Sequence, residues 1–262
     1  LKLFFVKIHT INFILFNMKN KVYKILGLMS GTSMDGLDCC LCELKIDNYY
    51  NFFYNIIDWK TFEYSDEIKN VIKDAIKSPF KAEKHSDILG QEFARISEDF
   101  LDGHQVDLIG SHGQTIYHID KEYSKQIGNP NFLLQKFNVP IIYNFRENDI
   151  LSNGNGAPLM PFLDWLLFKN NKLDTFTLNI GGISNICKIS YKINRKDVLG
   201  FDTGPGMSLI DEFAHIVWNE SMDLDGKYSS KGNIINELEN DLLSYPYILK
   251  KPPKSTGRQE FG

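Results

Sequence analysis

The sequence has little cysteine, no excess of positive charge and no long uninterrupted apolar run. Its 262 residues include four cysteines, and 29 Lys and Arg against 33 Asp and Glu give a net charge of −4. Without concentrated basic residues, we expect neither nucleic acid nor an anionic membrane as a partner. The cysteines lack the spacing of a metal site, so we interpret them as buried, reduced thiols. Reduced thiols indicate a cytoplasmic compartment.

Both ends of the sequence are unusual. Residues 1–17 are apolar but interrupted by Lys2, Lys7 and His9, which makes them too short and too charged for a membrane helix. We expect them to lie upstream of a natural start at Met18. The sequence stops in the polar stretch "STGRQEFG", and we expect this stretch to interrupt a domain rather than close one.

Hydrophobic patterning predicts a mixed α/β protein. The runs "VYKILGL" and "LDCCLCELKI" predict a β-hairpin, and "YNFFYNIIDWKTFEY" predicts a third strand. The next segment has helical spacing, with Ile68, Val71, Ile72 and Ile76 on one stripe and Ser65 as its N-cap. Short apolar runs and further helical patterns follow, and a new strand, glycine turn and strand begin near residue 175. This order predicts two α/β domains, residues 18–170 and 171–262, separated at the polar segment "KNNKLD".

The first polar cluster is "SGTSMDGLD", residues 30–38, which lies between two predicted strands. A glycine-rich hairpin lets main-chain N–H groups and hydroxyls approach a phosphate, and Asp35 or Asp38 could hold Mg²⁺. It is not a Walker A motif, because no Gly-Lys-Ser/Thr follows. A purely structural β-turn is the alternative.

Two further clusters offer groups for a polar ligand. "GSHGQTIYH" follows a predicted strand, and we expect it to form a loop. Its His112, Gln114 and Thr115 side chains suit the hydroxyl groups of a sugar. The alternative is a structural loop whose polar groups are hydrogen-bonded within the protein. In "NFRENDILSNGNGAP", Arg146 either binds an anionic group through its planar guanidinium or pairs with Asp149 on a turn.

The last cluster combines "TLNIGGISN" with "GFDTGPG". Gly181, Gly182 and Asn185 form a second turn of a size that fits a phosphate. Asp202 ends an apolar run before Gly-Pro-Gly, where a carboxylate can serve as a general base or simply cap the turn.

Taken in order, "GLMSGTSMDGLD", "IGSHGQTIYH", "QIGNP", "GNGAPLMP", "LNIGGISN", "GFDTGPG" and "PPKSTGRQEFG" resemble the anhydro-N-acetylmuramic acid kinase family. The resemblance extends from about Ile25 to Gly262. It implies an actin-like (ribonuclease H-like) two-domain sugar kinase fold whose two α/β domains close on a nucleotide. The second domain is then expected to be incomplete.

The family hydrolyses the 1,6-anhydro ring of anhydro-N-acetylmuramic acid and phosphorylates O6 from ATP, giving N-acetylmuramic acid 6-phosphate in cell-wall sugar recycling. The resemblance therefore implies ATP and Mg²⁺ as cofactors, an amino-sugar substrate, Asp202 as catalytic base and a homodimer. Asp35 is the expected Mg²⁺ ligand, and His112, Gln114, Thr115, Arg146 and Asp149 are the expected substrate contacts. The expected nucleotide contacts are Gly31, Thr32, Ser33, Met34, Asp35, Gly36, Leu37, Asp38, Gly181, Gly182 and Asn185.

The chain departs from the family pattern at several positions. Asn144 stands where an aspartate is usual, Asn153 and Asn155 replace a usual Gly and Gln, and Met207 replaces an asparagine after Gly-Pro-Gly. These departures leave a non-catalytic, actin-like binding protein as the alternative function. A serine hydrolase built on "SGTS" is disfavoured, because the Gly-x-Ser-x-Gly pattern of a nucleophile elbow is missing.

Overall fold

The computed structural model describes residues 21–31, 34–47, 51–119, 121–192, 194–256 and 258–261. By its internal contacts the chain divides into two compact units, one ending at Gly156 and one beginning at Ala157. This division precedes the boundary predicted at residues 170 and 171. The helix Met160–Phe168, which the sequence analysis placed in the first domain, packs against strands of the second unit.

The described part of the first unit contains six strands in one mixed sheet, in the order β3-β2-β1-β4-β5 with β6 beside β4. The pairs β1–β2, β2–β3 and β4–β5 are antiparallel, whereas β1–β4 and β4–β6 are parallel. The strands are β1 (Tyr23–Ser30), β2 (Gly36–Ile46), β3 (Phe52–Glu63), β4 (Leu108–Ile119), β5 (Tyr123–Ile127) and β6 (Ile141–Tyr143). The predicted hairpin and third strand are thus confirmed.

Four α-helices accompany this sheet in the described residues: α1 (Asp66–Lys77), α2 (Glu83–Leu101), α3 (Asn131–Phe137) and α4 (Phe145–Leu151). The predicted N-cap of α1 is confirmed, because the Ser65 hydroxyl accepts a hydrogen bond from the amide of Ile68. Ile72 is fully buried as expected, but Ile76 is 42% exposed and Ala75 takes its place in the core.

The core of the first unit lies between α2 and the face of the sheet formed by alternate residues of β1 and β2. Leu26, Leu37 and Leu41 are 0–1% exposed there, opposite Phe93 and Ile96 of α2. Because side chains alternate along a strand, this register buries every second residue and leaves the next on the opposite face. Cys39 follows the buried set and Asp38 is exposed.

The second unit contains an antiparallel sheet of β7 (Thr175–Ile180), β8 (Ile183–Ile189) and β9 (Leu199–Pro205), in that order. Helix α5 (Met160–Phe168) packs against β8 and β9, and α6 (Ser208–Trp218) follows β9. The further described helices are α7 (Asn236–Leu243), α8 (Pro246–Leu249) and α9 (Arg258–Phe261). The predicted α/β class is confirmed.

Among the described residues, no helix combines the length and the apolar character needed to cross a bilayer.

Candidate functional site

The first glycine turn joins β1 to β2, as the sequence predicts. The amide of Met34 donates to the carbonyl of Gly31 at 3.2 Å, and the carbonyl of Asp35 accepts from the amide of Tyr64 at 2.9 Å. Thr32 and Ser33, two of the expected nucleotide contacts, lie outside the described residues. The residues on both sides of Thr32 and Ser33 are thus held in place by main-chain hydrogen bonds.

Three other expected contacts in this segment have structural roles of their own. Leu37 is fully buried, so only its main chain is available to a ligand. A β-carbon on Gly36 would collide with the carbonyl of Phe62, so this glycine permits β2 and β3 to pack closely. The Asp38 carboxylate accepts from the Thr61 hydroxyl at 2.6 Å.

The segment "GSHGQTIYH" is not a loop, contrary to the sequence-based expectation. It is the continuation of β4, and its second half pairs with β5, a strand that the sequence analysis did not predict. Polar residues with glycine had indicated a loop, but here their side chains find partners across neighbouring strands. Thr115, for example, accepts from the side-chain amide of Gln126 at 3.2 Å.

Gln114 lies inside the protein rather than at its surface. Its side chain is 0% exposed, and its Oε1 accepts from the Ser30 hydroxyl at 2.6 Å. The Tyr64 hydroxyl in turn donates to Ser30 at 2.8 Å. These buried hydrogen bonds connect the end of β1 to the middle of β4, so Gln114 stabilises the strands that present the neighbouring residues.

His112, which is buried, and Arg146, which is half-buried, form a hydrogen-bonded pair. Arg146 Nε donates to His112 Nε2 at 3.2 Å, and His112 Nδ1 lies 2.7 Å from the carbonyl of Gly113, to which it donates. Burial, reinforced by the Arg146 charge, lowers the pKa of His112 to about 4. His112 is therefore neutral at physiological pH, which is the form that can accept from a guanidinium.

Arg146 and Asp149 lie on α4, one helical turn apart, where the sequence analysis expected a turn. Both contact Gly156: Arg146 Nη1 donates to its carbonyl at 2.8 Å, and Asp149 Oδ2 accepts from its amide at 2.7 Å. Burial lowers the pKa of Arg146. The two side chains thus hold the segment that follows α4 against the helix, and the guanidinium is fixed in position.

A cavity of about 360 Å³ adjoins His112. It lies at the end of β6, near the point where β4 stops pairing with β6 and begins to pair with β5. Ser111 lines it with a side chain that is 2% exposed, and its hydroxyl has no hydrogen-bond partner among the described residues. The polar side chains of its wall include His112, Lys125, Asn144 and Glu147. Ligands of α/β proteins bind at the carboxyl ends of parallel strands, which is where this cavity lies.

Asn144, one of the departures from the family pattern, lies in the wall of this cavity. It has a left-handed backbone with φ of 60°, a conformation that asparagine tolerates well. Its side-chain amide donates to the Glu147 carboxylate. An aspartate has no N–H to donate, so Asn144 and Glu147 are chemically matched to each other.

The second glycine turn, in the second unit, joins β7 to β8 and packs against the start of α6. The carbonyl of Gly181 accepts from the amide of Met207 at 2.8 Å, and that of Gly182 accepts from the amide of Gly206 at 2.8 Å. Asn185 of β8 pairs directly with Asp202 of β9. The structure thus places two of the residues singled out in this unit side by side.

Asp202 is held at three atoms by the segment that begins at α8. Its amide donates to the carbonyl of Lys254 at 2.9 Å, and its carbonyl accepts from the Tyr247 hydroxyl at 2.9 Å. Its carboxylate oxygen Oδ2 accepts from the amide of Thr256 at 3.0 Å. A carboxylate fixed in this way can accept a proton at a defined place.

Lys254 and Thr256 lie in "PPKSTGRQEFG", a segment for which the sequence predicts no functional residue. The available signal was a lysine between prolines and hydroxyl residues in an otherwise polar segment, and that signal does not reveal contacts with a residue 52 positions earlier.

Among the described residues, no group of three or more His, Cys, Asp or Glu side chains could hold a metal ion. Mg²⁺ that accompanies ATP takes only one or two protein carboxylates besides phosphates and waters. Asp35 alone is therefore compatible with such a role.

Comparison with known proteins identifies the family. The model of the family described as anhydro-N-acetylmuramic acid kinase matches residues 23–262. A protein of that name from Clostridioides difficile (strain 630) is 38% identical over 254 residues, covering 90% of this chain and 65% of its own length. One from Bacillus cereus (strain G9842) is 34% identical over 260 residues, covering 91% of this chain and 66% of its own length. The chain thus spans about two thirds of the curated relatives that it matches. From the match along nearly all of its length, the chain belongs to the anhydro-N-acetylmuramic acid kinase family.

Proposed function

We propose that the protein is an ATP-dependent kinase that hydrolyses the 1,6-anhydro ring of anhydro-N-acetylmuramic acid and phosphorylates O6. The observation that supports this most directly is the fixed carboxylate of Asp202 in a chain of this family. The product is N-acetylmuramic acid 6-phosphate. The names of the relatives support the substrate, and the geometry at Asp202 supports the role of a base.

In the proposed reaction Asp202 takes a proton from water as the water oxygen bonds to C1 of the sugar. The C1–O6 bond breaks and its electron pair stays on O6, which would then receive the phosphoryl group of ATP with ADP as the leaving group. The Thr256 amide keeps the Asp202 carboxylate from rotating, so that the same oxygen is presented at each turnover. Positioning of this kind lowers the barrier because the reacting groups no longer have to find each other.

ATP supplies the phosphoryl group when bound, and Mg²⁺ neutralises its charge. Each glycine turn is proposed, within its own unit, as a phosphate contact, because glycine leaves the main-chain N–H groups uncovered. A β-carbon at Gly182, for instance, would meet only ordinary contact at 3.9 Å from Ser208. Asp35 is the proposed Mg²⁺ ligand.

The cavity at β4 and β6 is proposed to take part of the sugar. Its volume lies within the range of about 300–1,000 Å³ typical of small-molecule sites. The buried Ser111 hydroxyl suits a sugar hydroxyl, and Arg146 carries further N–H donors for an anionic substituent. Both ring nitrogens of His112 are already hydrogen-bonded, so His112 is proposed to act on the substrate by positioning Arg146. Gln114 is proposed to act only by supporting this wall.

A cytoplasmic, homodimeric protein completes the proposal. All four cysteines, each among the described residues, are free thiols, and burial raises the pKa of Cys42 to about 11, which disfavours oxidation. Phe53, Ile57 and Trp59 of β3 are exposed and offer apolar surface for a second copy. Sedimentation equilibrium tests the dimer, and a monomer at micromolar concentration would contradict it.

Turnover in ¹⁸O-labelled water tests the reaction itself. We expect ATP consumption that depends on anhydro-N-acetylmuramic acid, with label in the C1 hydroxyl and none in the phosphate ester. Asp202→Asn should lower kcat about 10²- to 10⁴-fold, since general base catalysis has that range. Asp197→Asn, an exposed carboxylate of the same unit, is the matched control and should retain full activity.

An Asp202→Asn variant as active as the parent would contradict the proposed base. Binding of sugar and nucleotide by the native protein without any ADP release would instead favour the non-catalytic alternative.

A further inference from the structure

Lys254 is a buried lysine in the second unit, and the reaction proposed above does not use it. Lys254 is only 8% exposed, and such burial is uncommon for a lysine. The ammonium group donates to the carbonyl of Tyr247 at 2.8 Å and to that of Ile248 at 2.9 Å. It also lies 4.6 Å from the centre of the Tyr247 ring, a favourable cation–π distance. Burying an ammonium group is costly, so these contacts must replace water around it.

The contacts of Lys254 lead directly to Asp202. The Tyr247 hydroxyl donates to the Asp202 carbonyl, and the Asp202 amide donates to the carbonyl of Lys254. Together with the bond from the Lys254 ammonium to the Tyr247 carbonyl, these form a closed ring of three residues. Thr256, two residues after Lys254, then donates its amide to the Asp202 carboxylate.

This ring fixes the main chain on both sides of the carboxylate. The hydrogen bond from the Tyr247 hydroxyl fixes the position of the Asp202 carbonyl. The hydrogen bond to the Lys254 carbonyl fixes the position of the Asp202 amide. Because Lys254 and Thr256 are separated by one residue, an anchor at Lys254 also determines where the Thr256 amide lies. The ammonium group joins the two ends of the segment by bonding the carbonyls near the end of α8.

We propose that Lys254 is a positioning residue for Asp202: its buried ammonium group clamps the segment from α8 to Thr256, whose amide orients the catalytic carboxylate. This inference rests on the proposed function for its kinetic consequence, but the clamp itself is a structural claim that can be measured without turnover. In this network Lys254 contacts Asp202 through the main chain and through Tyr247, so it acts on the reaction indirectly.

Lys254→Met tests the clamp, because methionine keeps an unbranched apolar stem and removes the charged donor. We expect kcat to fall about 10- to 100-fold with KM changed less than about twofold, since a small displacement of a reacting group has effects of that size. Lys254→Arg, which restores a cationic donor, should recover part of the loss. Lys251→Met changes an exposed lysine of the same segment and should match the parent.

A kcat of Lys254→Met equal to that of the parent would overturn the proposal, as would a Lys254→Arg variant no better than Lys254→Met. If Lys254→Met does not fold, Tyr247→Phe decides. It removes only the hydroxyl that holds the Asp202 carbonyl and should lower kcat about 3- to 10-fold at unchanged KM. Parent-like turnover by Tyr247→Phe would equally contradict the clamp.

Amide NMR spectra of the folded parent and variants test the role of Lys254 without a measurement of turnover. The Asp202 and Thr256 amide resonances should move in Lys254→Met and stay in place in Lys251→Met. If the parent does not turn over the anhydro sugar, the proposed function fails, while these resonances still decide whether Lys254 sets the position of Asp202. Unmoved resonances would refute the clamp whatever the activity.

Discussion

The buried histidine His112 makes the stability of the first unit depend on pH. In the unfolded chain its pKa is near the ordinary value of 6.5, whereas burial beside Arg146 holds the folded pKa at about 4. Between these values the unfolded state binds a proton that the folded state does not. Stability is therefore complete above pH 6.5 and falls as the pH drops toward 4, because protons favour the unfolded chain.

The size of the effect follows from the same two pKa values. At pH 5 the pH lies about 1.5 units below the pKa of the unfolded imidazole, which is therefore protonated, whereas the folded imidazole is still mostly neutral. At about 1.36 kcal/mol for each unit, His112 alone costs the first unit about 2 kcal/mol of stability between pH 7.5 and pH 5. Near pH 4 the loss approaches about 3 kcal/mol.

Hydrogen exchange of the β4 amides in urea gives the opening free energy of this unit at each pH. His112→Gln is the matched variant, because it removes the titrating group and leaves the other histidines in place. We expect the parent to lose about 2 kcal/mol more than His112→Gln between pH 7.5 and pH 5. Equal losses in the two proteins, or a His112 that titrates near its ordinary pKa by NMR, would refute the reasoning.

Two further predictions concern packing in the same unit. Gly36→Ala places a β-carbon against the carbonyl of Phe62 and should lower the unfolding free energy by about 1–3 kcal/mol, whereas Gly27→Ala has its nearest contact at 3.8 Å and should change it little in the same denaturant titration. Tyr64→Phe removes the hydroxyl that donates to buried Ser30 and should cost about 1–3 kcal/mol, and a stability equal to that of the parent would show that the hydroxyl group is not needed.

Much of the fold could be predicted because local patterns agreed with tertiary packing. The N-cap at Ser65 and the stripe through Ile72 gave α1 with its correct start, since capping and amphipathic spacing are properties of the helix itself. Ile76 was assigned to the core wrongly. The stripe is wider than the contact with the sheet, and the small side chain of Ala75 lies nearer the centre of that contact.

The polar segment of β4 could not be predicted, for a different reason. Gln114 and Thr115 are residue types typical of loops. Within the sheet, Gln114 is hydrogen-bonded to Ser30, which is distant in the sequence, and Thr115 to Gln126, which lies on the unpredicted strand β5. β5 escaped detection because it has a single buried residue, Ile127, and no apolar alternation.

The candidate site shows the same limit more sharply. Asp202 could be singled out because a carboxylate between an apolar run and Gly-Pro-Gly is a local signal. What fixes it, however, comes from Tyr247, Lys254 and Thr256, and no spacing rule connects these residues with β9. Sequence motifs identify the groups that can react, whereas the atoms that orient them are found by following hydrogen bonds outward. On that ground, the proposed role of Asp202 as a base depends on the segment through Lys254, which holds its carboxylate in place.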